Sequence, residues 1–298
     1  MKWIRPALAR EFASAGTDAY RIADAEGCRI ERFGDGAILS HSTEEAPPGA
    51  VDELAEWCER AGATIRRIYG RRLVMAPGRN DAPYAIGGDL SHHTGVAHEQ
   101  GLSYEIDFMA GYSCGLFVDQ RANRSRVRTN CSGTLLNLFS YTCSFSVAAA
   151  AAGAQTVSID LSKVALERGR RNFALNDLST DGHRFIADDA LDVLPRLARR
   201  GEKFEWIVLD PPTFSRGRRG RVFRVERDYG RLIEMSFPCA APGGMVLLST
   251  NCSTLDISKL RALGPRHVPS RVTFFESPPL PDIPVRHGAS TIWMRINE

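Results

Sequence analysis

Lysine is almost missing from this 298-residue chain: it stands only at Lys2, Lys163, Lys203 and Lys259, so nearly all of the 38 basic residues are arginine. The formal net charge of +3 is too small to argue for a nucleic-acid partner alone. No apolar run approaches the ~18 to 20 residues that cross a bilayer. The opening MKWIRPALAREF has no uninterrupted apolar segment of the secretory kind. These absences lead us to expect a cytoplasmic protein with no membrane partner. The seven cysteines show no C-x-x-C spacing, which removes the common zinc and redox motifs and leaves free thiols in a reducing compartment. No metal is expected: the adjacent His92 and His93 lack the spacing of a ligand pair and read as solvent-exposed. A G-x-G-x-x-G run is missing as well, which argues against a dinucleotide pyrophosphate and hence against a nicotinamide enzyme.

What is present is an ordinary globular composition, 43% hydrophobic and 24% charged. From about Gly133 onward, short apolar runs alternate with helical patterns, as in βαβ units of a parallel sheet. Strands are predicted at 134–139, 156–160, 183–187, 204–210 and 245–250. Helices are predicted at 144–152, from an N-cap at Ser162 to about 176, at 189–199 and at 225–240. A turn is expected at 241–244. Two further strands, 271–276 and 291–296, complete a seven-stranded, mostly parallel α/β sheet of the class I Rossmann-like kind. Residues 1–100 read as a small α+β accessory domain, with strands near 19–22, 29–33 and 37–41 and a helix near 51–61. Its end, 77–100, reads as a linker, and residues 101–298 form the larger domain.

In an open parallel sheet, ligands sit beyond the carboxyl ends of the strands, near the switch in strand order. Here those ends are acidic: Asp160, which suits two ribose hydroxyls; Asp188 and Asp189, which suit an adenine amino group; and Asp210, which opens Asp210-Pro-Pro-Thr-Phe214. Any one could be only a helix N-cap, but four on consecutive strands point to a ligand. The first strand runs into the hydroxyl-rich loop Asn137-Leu-Phe-Ser-Tyr-Thr-Cys-Ser-Phe145, which can turn backbone amides toward a nucleoside carrying a sulfonium. That combination predicts S-adenosylmethionine (SAM) as cofactor and a methyltransferase.

At NLFSYTCSF, DPPTFS and Gly115-Leu-Phe-Val-Asp-Gln-Arg-Ala-Asn-Arg124, the chain resembles the bacterial 23S ribosomal RNA methyltransferases that modify cytosine C5 or guanine N7. Thr17-Asp-Ala-Tyr-Arg21 and Ile30-Glu-Arg-Phe-Gly-Asp35 look like the small domain that precedes the catalytic one in that family. We expect the N-terminal RNA-binding (PUA) domain of many members to be lacking here. The resemblance implies that Gln120, Arg121, Asn137, Phe139, Tyr141, Thr142, Asp160, Ser162, Asp188 and Asp210 surround SAM, and that a homodimer is possible. Members usually carry glycine after F-S-Y-T, where this chain has Cys143, so a backbone close to the cofactor must tolerate a Cβ.

Pro211 and Pro212 hold the strand end extended, and Phe214 reads either as a stacking surface for a flipped base or as a core residue. Arg216, Arg218, Arg219, Arg221, Arg224 and Arg227 follow, opposed in that stretch by Glu226 alone; Arg124, Arg126 and Arg128 are also available. This density beside the expected site favours RNA, ribosomal RNA in particular. Catalysis is assigned to Asp210, with Cys252 in Ser249-Thr-Asn-Cys-Ser253 either a nucleophile for pyrimidine C5 chemistry or a buried structural thiol. The cytosine branch has a cysteine in a similar S-C-S turn. The guanine branch lacks it but resembles the chain better at DPPTFS and at 223–228. A small-molecule or protein substrate, and a SAM- or RNA-binding protein without turnover, remain as alternatives.

Overall fold

The computed structural model describes residues 1–73, 82–111, 113–217, 220–264, 272–284 and 287–297. They form two compact units, one of residues 1–121 with 280–284, the other of 122–279 with 285–298.

The first unit contains β1 (Lys2–Trp3), α1 (Pro6–Ser14), β2 (Ala19–Ala25), β3 (Cys28–Phe33), β4 (Gly36–His41), α2 (Ala50–Ala61), β5 (Arg67–Arg72), β6 (Tyr84–Gly88), β7 (Thr94–Glu99) and β8 (Leu102–Asp107). The first six strands make one sheet in chain order. Its β4–β5 pair is parallel because α2 supplies the crossover. Tyr20, Ile22, Ile30, Leu39, Leu54 and Trp57 form the core between that sheet and α2. The 77–100 linker is corrected here: β6 extends the sheet, and β7 pairs with β8 as a hairpin. Residues 74–81 lie outside the described set. A boundary at 100/101 would cut that hairpin at its turn, whereas the two units divide at Arg121.

The second unit continues with α3 (Arg121–Asn130), β9 (Thr134–Leu138), α4 (Ser144–Ala150), β10 (Gln155–Asp160), α5 (Lys163–Ala174), β11 (Arg184–Ala187), α6 (Ala190–Arg199), β12 (Phe204–Leu209), β13 (Phe214–Arg216), β14 (Val222–Arg224), α7 (Val225–Ser236), β15 (Ala240–Thr250), α8 (Ile257–Ala262), β16 (Val272–Phe275) and β17 (Ser290–Ile296). Seven of these strands form a sheet in the order β11-β10-β9-β12-β15-β17-β16, in which β17 is antiparallel to both neighbours. The switch in strand order falls between β9 and β12, where a doubly wound sheet opens its crevice. Two cross-strand rows, Val157-Leu136-Ile207-Val246-Met294 and Ile159-Leu138-Leu209-Leu248-Ile292, share one face and pack on α6 and α7. The spacing of two between the rows is the strand period, so burial fixes the register. The turn expected at 241–244 is instead the start of β15, with a register shift opposite Phe204 and Trp206 absorbing its glycines.

Candidate active site

β9 delivers the chain into a tight loop in which Phe139 (φ 56°), Tyr141 (φ 47°) and Cys143 (φ 61°) all take the left-handed conformation without being glycine. Each such residue costs roughly 1–3 kcal/mol and persists only where its surroundings impose it. They do so here: Ser140 N–H donates to the Ile159 carbonyl (3.0 Å), Cys143 N–H to the Ser140 carbonyl (2.8 Å), and the Asn172 side-chain amide to the Thr142 carbonyl (2.9 Å). Tyr141 N–H donates to Asp160 Oδ2 at 2.8 Å and Ser162 N–H to Oδ1 at 2.8 Å, so the carboxylate ending β10 ties the loop to the start of α5. Burial raises the Asp160 carboxyl above the ordinary carboxylate value, against the lowering by these backbone donors.

Beside this carboxylate lies a narrow cleft bounded by Phe139, Ile159, Asp160, Leu161, Asp188, Asp189, Ala190, Ser215, Gly217, Arg221 and Phe223. Its apolar walls suit the two faces of a purine, its acidic rim suits ribose hydroxyls and an exocyclic amine, and no cation is needed for a ligand without phosphate. The residues present therefore fit an adenosyl group. Asp189 caps α6 by accepting from Leu191 N–H (3.0 Å), and Asp188 accepts from Asp189 N–H (2.9 Å) while pairing with Arg196. Asp189 thus caps the helix and, with Asp188, also lines the cleft.

Among the other expected site residues, Asn137 is buried in β9 and donates to Ser146 Oγ (3.0 Å), which in turn bonds Ser158 Oγ (2.8 Å). That chain joins β9, α4 and β10, and Asn137 does not line the cleft. Ser162 is the N-cap of α5, accepting from Ala165 N–H (3.1 Å). Thr142 is buried and contributes its carbonyl to the loop. Gln120 and Arg121 belong to the first unit, where the Arg121 guanidinium is committed to Asp282, to the Ala19 carbonyl and to the Phe12 ring. The Cβ of Cys143 is accommodated away from the cleft: the side chain is fully buried against Gly169 of α5, and burial pushes its thiol up to about 11.

Asp210 follows β12 and accepts from Ser249 Oγ at 2.7 Å. The fully buried Tyr229 hydroxyl clamps the same strand ends, donating toward the Leu209 and Ser249 carbonyls (2.8 and 2.9 Å) and accepting from Ser249 N–H (2.7 Å). Pro211 is buried and Pro212 exposed. Phe214 is 43% exposed, which removes the core reading, and the Arg224 guanidinium lies over its ring at 5.3 Å. Arg216 is exposed; Arg218 and Arg219 lie outside the described residues. Arg124 is buried beside the Phe145 ring, and Arg126 stacks on Phe275 and Trp293, so these two serve the interior of the unit. Cys252 is 7% exposed, with its sulfur 3.1 Å from Thr254 Oγ1 and 3.7 Å from Glu226 Oε1.

Several cleft residues escaped the sequence reading: Ile159, Leu161, Ala190, Ser215, Gly217, Arg221 in a cofactor role, and Phe223. The alternation F-S-R, glycine, glycine, R-V-F-R was a hairpin signal hidden by its density of charge.

The strand order, with its antiparallel β17, and a cleft at the carboxyl ends of β10 and β11 define a Rossmann-like nucleoside-binding domain. The sequence model of the S-adenosylmethionine-dependent methyltransferase family matches residues 61–295, and the chain belongs to that family. Its cofactor is accordingly SAM. It is 33% identical over 265 residues to a ribosomal RNA large subunit methyltransferase of Deinococcus radiodurans, covering 83% of this chain and 64% of that one. With ribosomal RNA large subunit methyltransferase I of Salmonella arizonae it shares 30% over 261 residues, covering 82% and 62%. The chain thus spans less than two thirds of the length of these relatives. A solved SAM-dependent methyltransferase of Agrobacterium tumefaciens superposes with a TM-score of 0.74 at 21% identity, over 94% of this chain and 90% of that one, a likeness of fold. No helix among the described residues is long and apolar enough to cross a membrane.

Proposed function

We propose that this chain methylates a base in RNA, ribosomal RNA being the substrate named for its relatives. The observation that carries the reading is the exposed Phe214 beneath the Arg224 guanidinium, four residues past Asp210, with Arg216 exposed beside it. An aromatic face covered by a planar cation at a strand end is a stacking site for an unpaired base, flanked by charge for its phosphates.

In this reading, SAM supplies an electrophilic methyl group and the protein aligns it with the acceptor, since in-line transfer depends mainly on positioning and exclusion of water. Asp160 receives the ribose hydroxyls, and Asp188 with Asp189 the adenine amine. Tyr141 and Thr142 shape the loop beside them. Asp210, oriented by Ser249, accepts a hydrogen bond from the target base, and Pro211 and Pro212 keep that carboxylate and the neighbouring carbonyls in place. Cys252 decides the atom methylated: attack on C6 of a pyrimidine requires its sulfur, and a nitrogen acceptor does not.

The test is incubation of the protein and its Asp210→Ala and Cys252→Ser variants with radiolabelled SAM and protein-free ribosomal RNA from a strain lacking the gene. We expect label in RNA with the wild type and a loss of at least 100-fold in Asp210→Ala without loss of fold. Unchanged turnover in that variant would sink the site assignment. Label lost in Cys252→Ser means a C5 target, and label retained means nitrogen.

A further inference from the structure

The β13–β14 hairpin stands outside the seven-stranded sheet, and its register separates its residues cleanly. Phe214 pairs with Arg224, Ser215 with Phe223 and Arg216 with Val222. Side chains alternate across a strand, so residues two apart share a face. Ser215 and Phe223, with Gly217 and Arg221 beyond them, line the cleft, whereas Phe214, Arg216 and Arg224 are exposed. One thin ribbon therefore serves as the wall of the adenosyl cleft on one side and carries the arginine and aromatic surface on the other.

A two-stranded ribbon is at best marginally stable alone, so what fixes it matters. At its base, Val225 N–H donates to the Thr213 carbonyl (3.1 Å) and the Phe223 ring packs on Phe139 (5.6 Å between centroids). At its far end, Gly217 N–H donates to the Arg221 carbonyl (2.8 Å), and the Arg221 guanidinium reaches α6, 2.8 Å from Asp192 Oδ1 and 3.7 Å from Asp189 Oδ2. Gly217 lies so close to Asp189 that a Cβ there would sit 2.4 Å from Oδ2. Asp189 is also the N-cap of α6, whose first residue, Ala190, lines the cleft.

We propose that Arg221 is a positioning residue that clasps the hairpin to α6, and that through the hairpin SAM and RNA bind with positive coupling, each favouring the seated hairpin the other needs. The coupling rests on the RNA reading above; the effect on cofactor affinity does not. Linkage requires the two factors to be equal: RNA must tighten the cofactor as much as the cofactor tightens RNA.

The experiment is calorimetric titration of S-adenosylhomocysteine, which cannot react, into wild type, Arg221→Ala, Arg221→Lys and Arg224→Ala, alone and with a saturating 23S ribosomal RNA fragment. Because Arg221 is partly exposed, the effect is modest: Arg221→Ala should weaken S-adenosylhomocysteine about two- to fivefold with the melting temperature unchanged, and Arg221→Lys should recover part of it. RNA should tighten Arg221→Ala by about that factor, reseating its hairpin, and the wild type, whose hairpin Arg221 already seats, by less. Arg224→Ala should lose RNA affinity while binding S-adenosylhomocysteine alone as the wild type does. Equal cofactor affinity in Arg221→Ala and wild type overturns the clasp, and equal RNA enhancement in both overturns the coupling. A wild type that binds S-adenosylhomocysteine but no RNA refutes the RNA reading and the coupling, while the cofactor titration still decides the clasp.

Discussion

Asp160 shows how one carboxylate can both anchor a loop and line a cleft. Its two oxygens anchor the backbones of Tyr141 and Ser162, and burial raises its pKa. Protonation removes an acceptor, so affinity for SAM should fall as pH drops through a value above that of a free aspartate. Titrations across mildly acidic pH test this: Asp160→Asn should bind weakly with a flat profile, and a wild-type profile flat down to the ordinary carboxylate range would contradict it. Cys143 and Gly169 are a matched pair, since a Cβ on Gly169 would lie 2.4 Å from the Cys143 sulfur. Gly169→Ala should cost about 1–3 kcal/mol through overpacking. In a Cys143→Gly background, the same change should be neutral or stabilising, because alanine favours a helix by about 1 kcal/mol over glycine. Denaturant unfolding of the four proteins measures the coupling, and additive losses would refute it. The acidic strand ends were readable from chemistry alone. The left-handed turns at Phe139, Tyr141 and Cys143 were not, because these side chains do not advertise that conformation as glycine or asparagine does.

At the level of elements, Tyr229 of α7 binds the ends of β12 and β15 through three hydrogen bonds, just where Asp210 and Ser249 are presented. Tyr229→Phe leaves those backbone groups buried without this partner and should cost about 1–3 kcal/mol. It should also lower turnover more than SAM affinity, which equilibrium binding and initial rates separate; a proportionate loss in both would point to general unfolding. The strands of the large sheet were predictable because their apolar rows are continuous. Elements whose reason for existing is a distant partner were not: β6 needs β5, β7 needs β8, and the hairpin at 214–224 is held by Asp192, 29 residues from Arg221 in the chain. Glycine and charge, read locally, gave loops in each case.

At the scale of the molecule, the strand order and the two-unit division organise everything else. The order follows from alternating βαβ units and was foreseeable; the excursion of residues 280–284 into the first unit was not, because a proline-rich stretch carries no periodicity. Its key residue is Asp282, whose side chain is wholly buried, accepting from Arg21 N–H (3.0 Å) and pairing with the buried Arg121. Asp282→Asn strips Arg121 of its counter-charge and should cost about 3–5 kcal/mol. Urea unfolding would show it, and a loss under about 1 kcal/mol would mean that another group compensates the guanidinium.

That excursion also sets a timetable. Ribosomes release a chain from its amino end, so residues 1–121 are made long before Asp282 exists, and the buried Arg121 must wait for an anion encoded 161 residues further along. The first unit thus stays unfinished while most of the second is made, and a nascent or prematurely terminated chain would present Arg121 without its counter-charge to proteases and chaperones until residue 282 arrives.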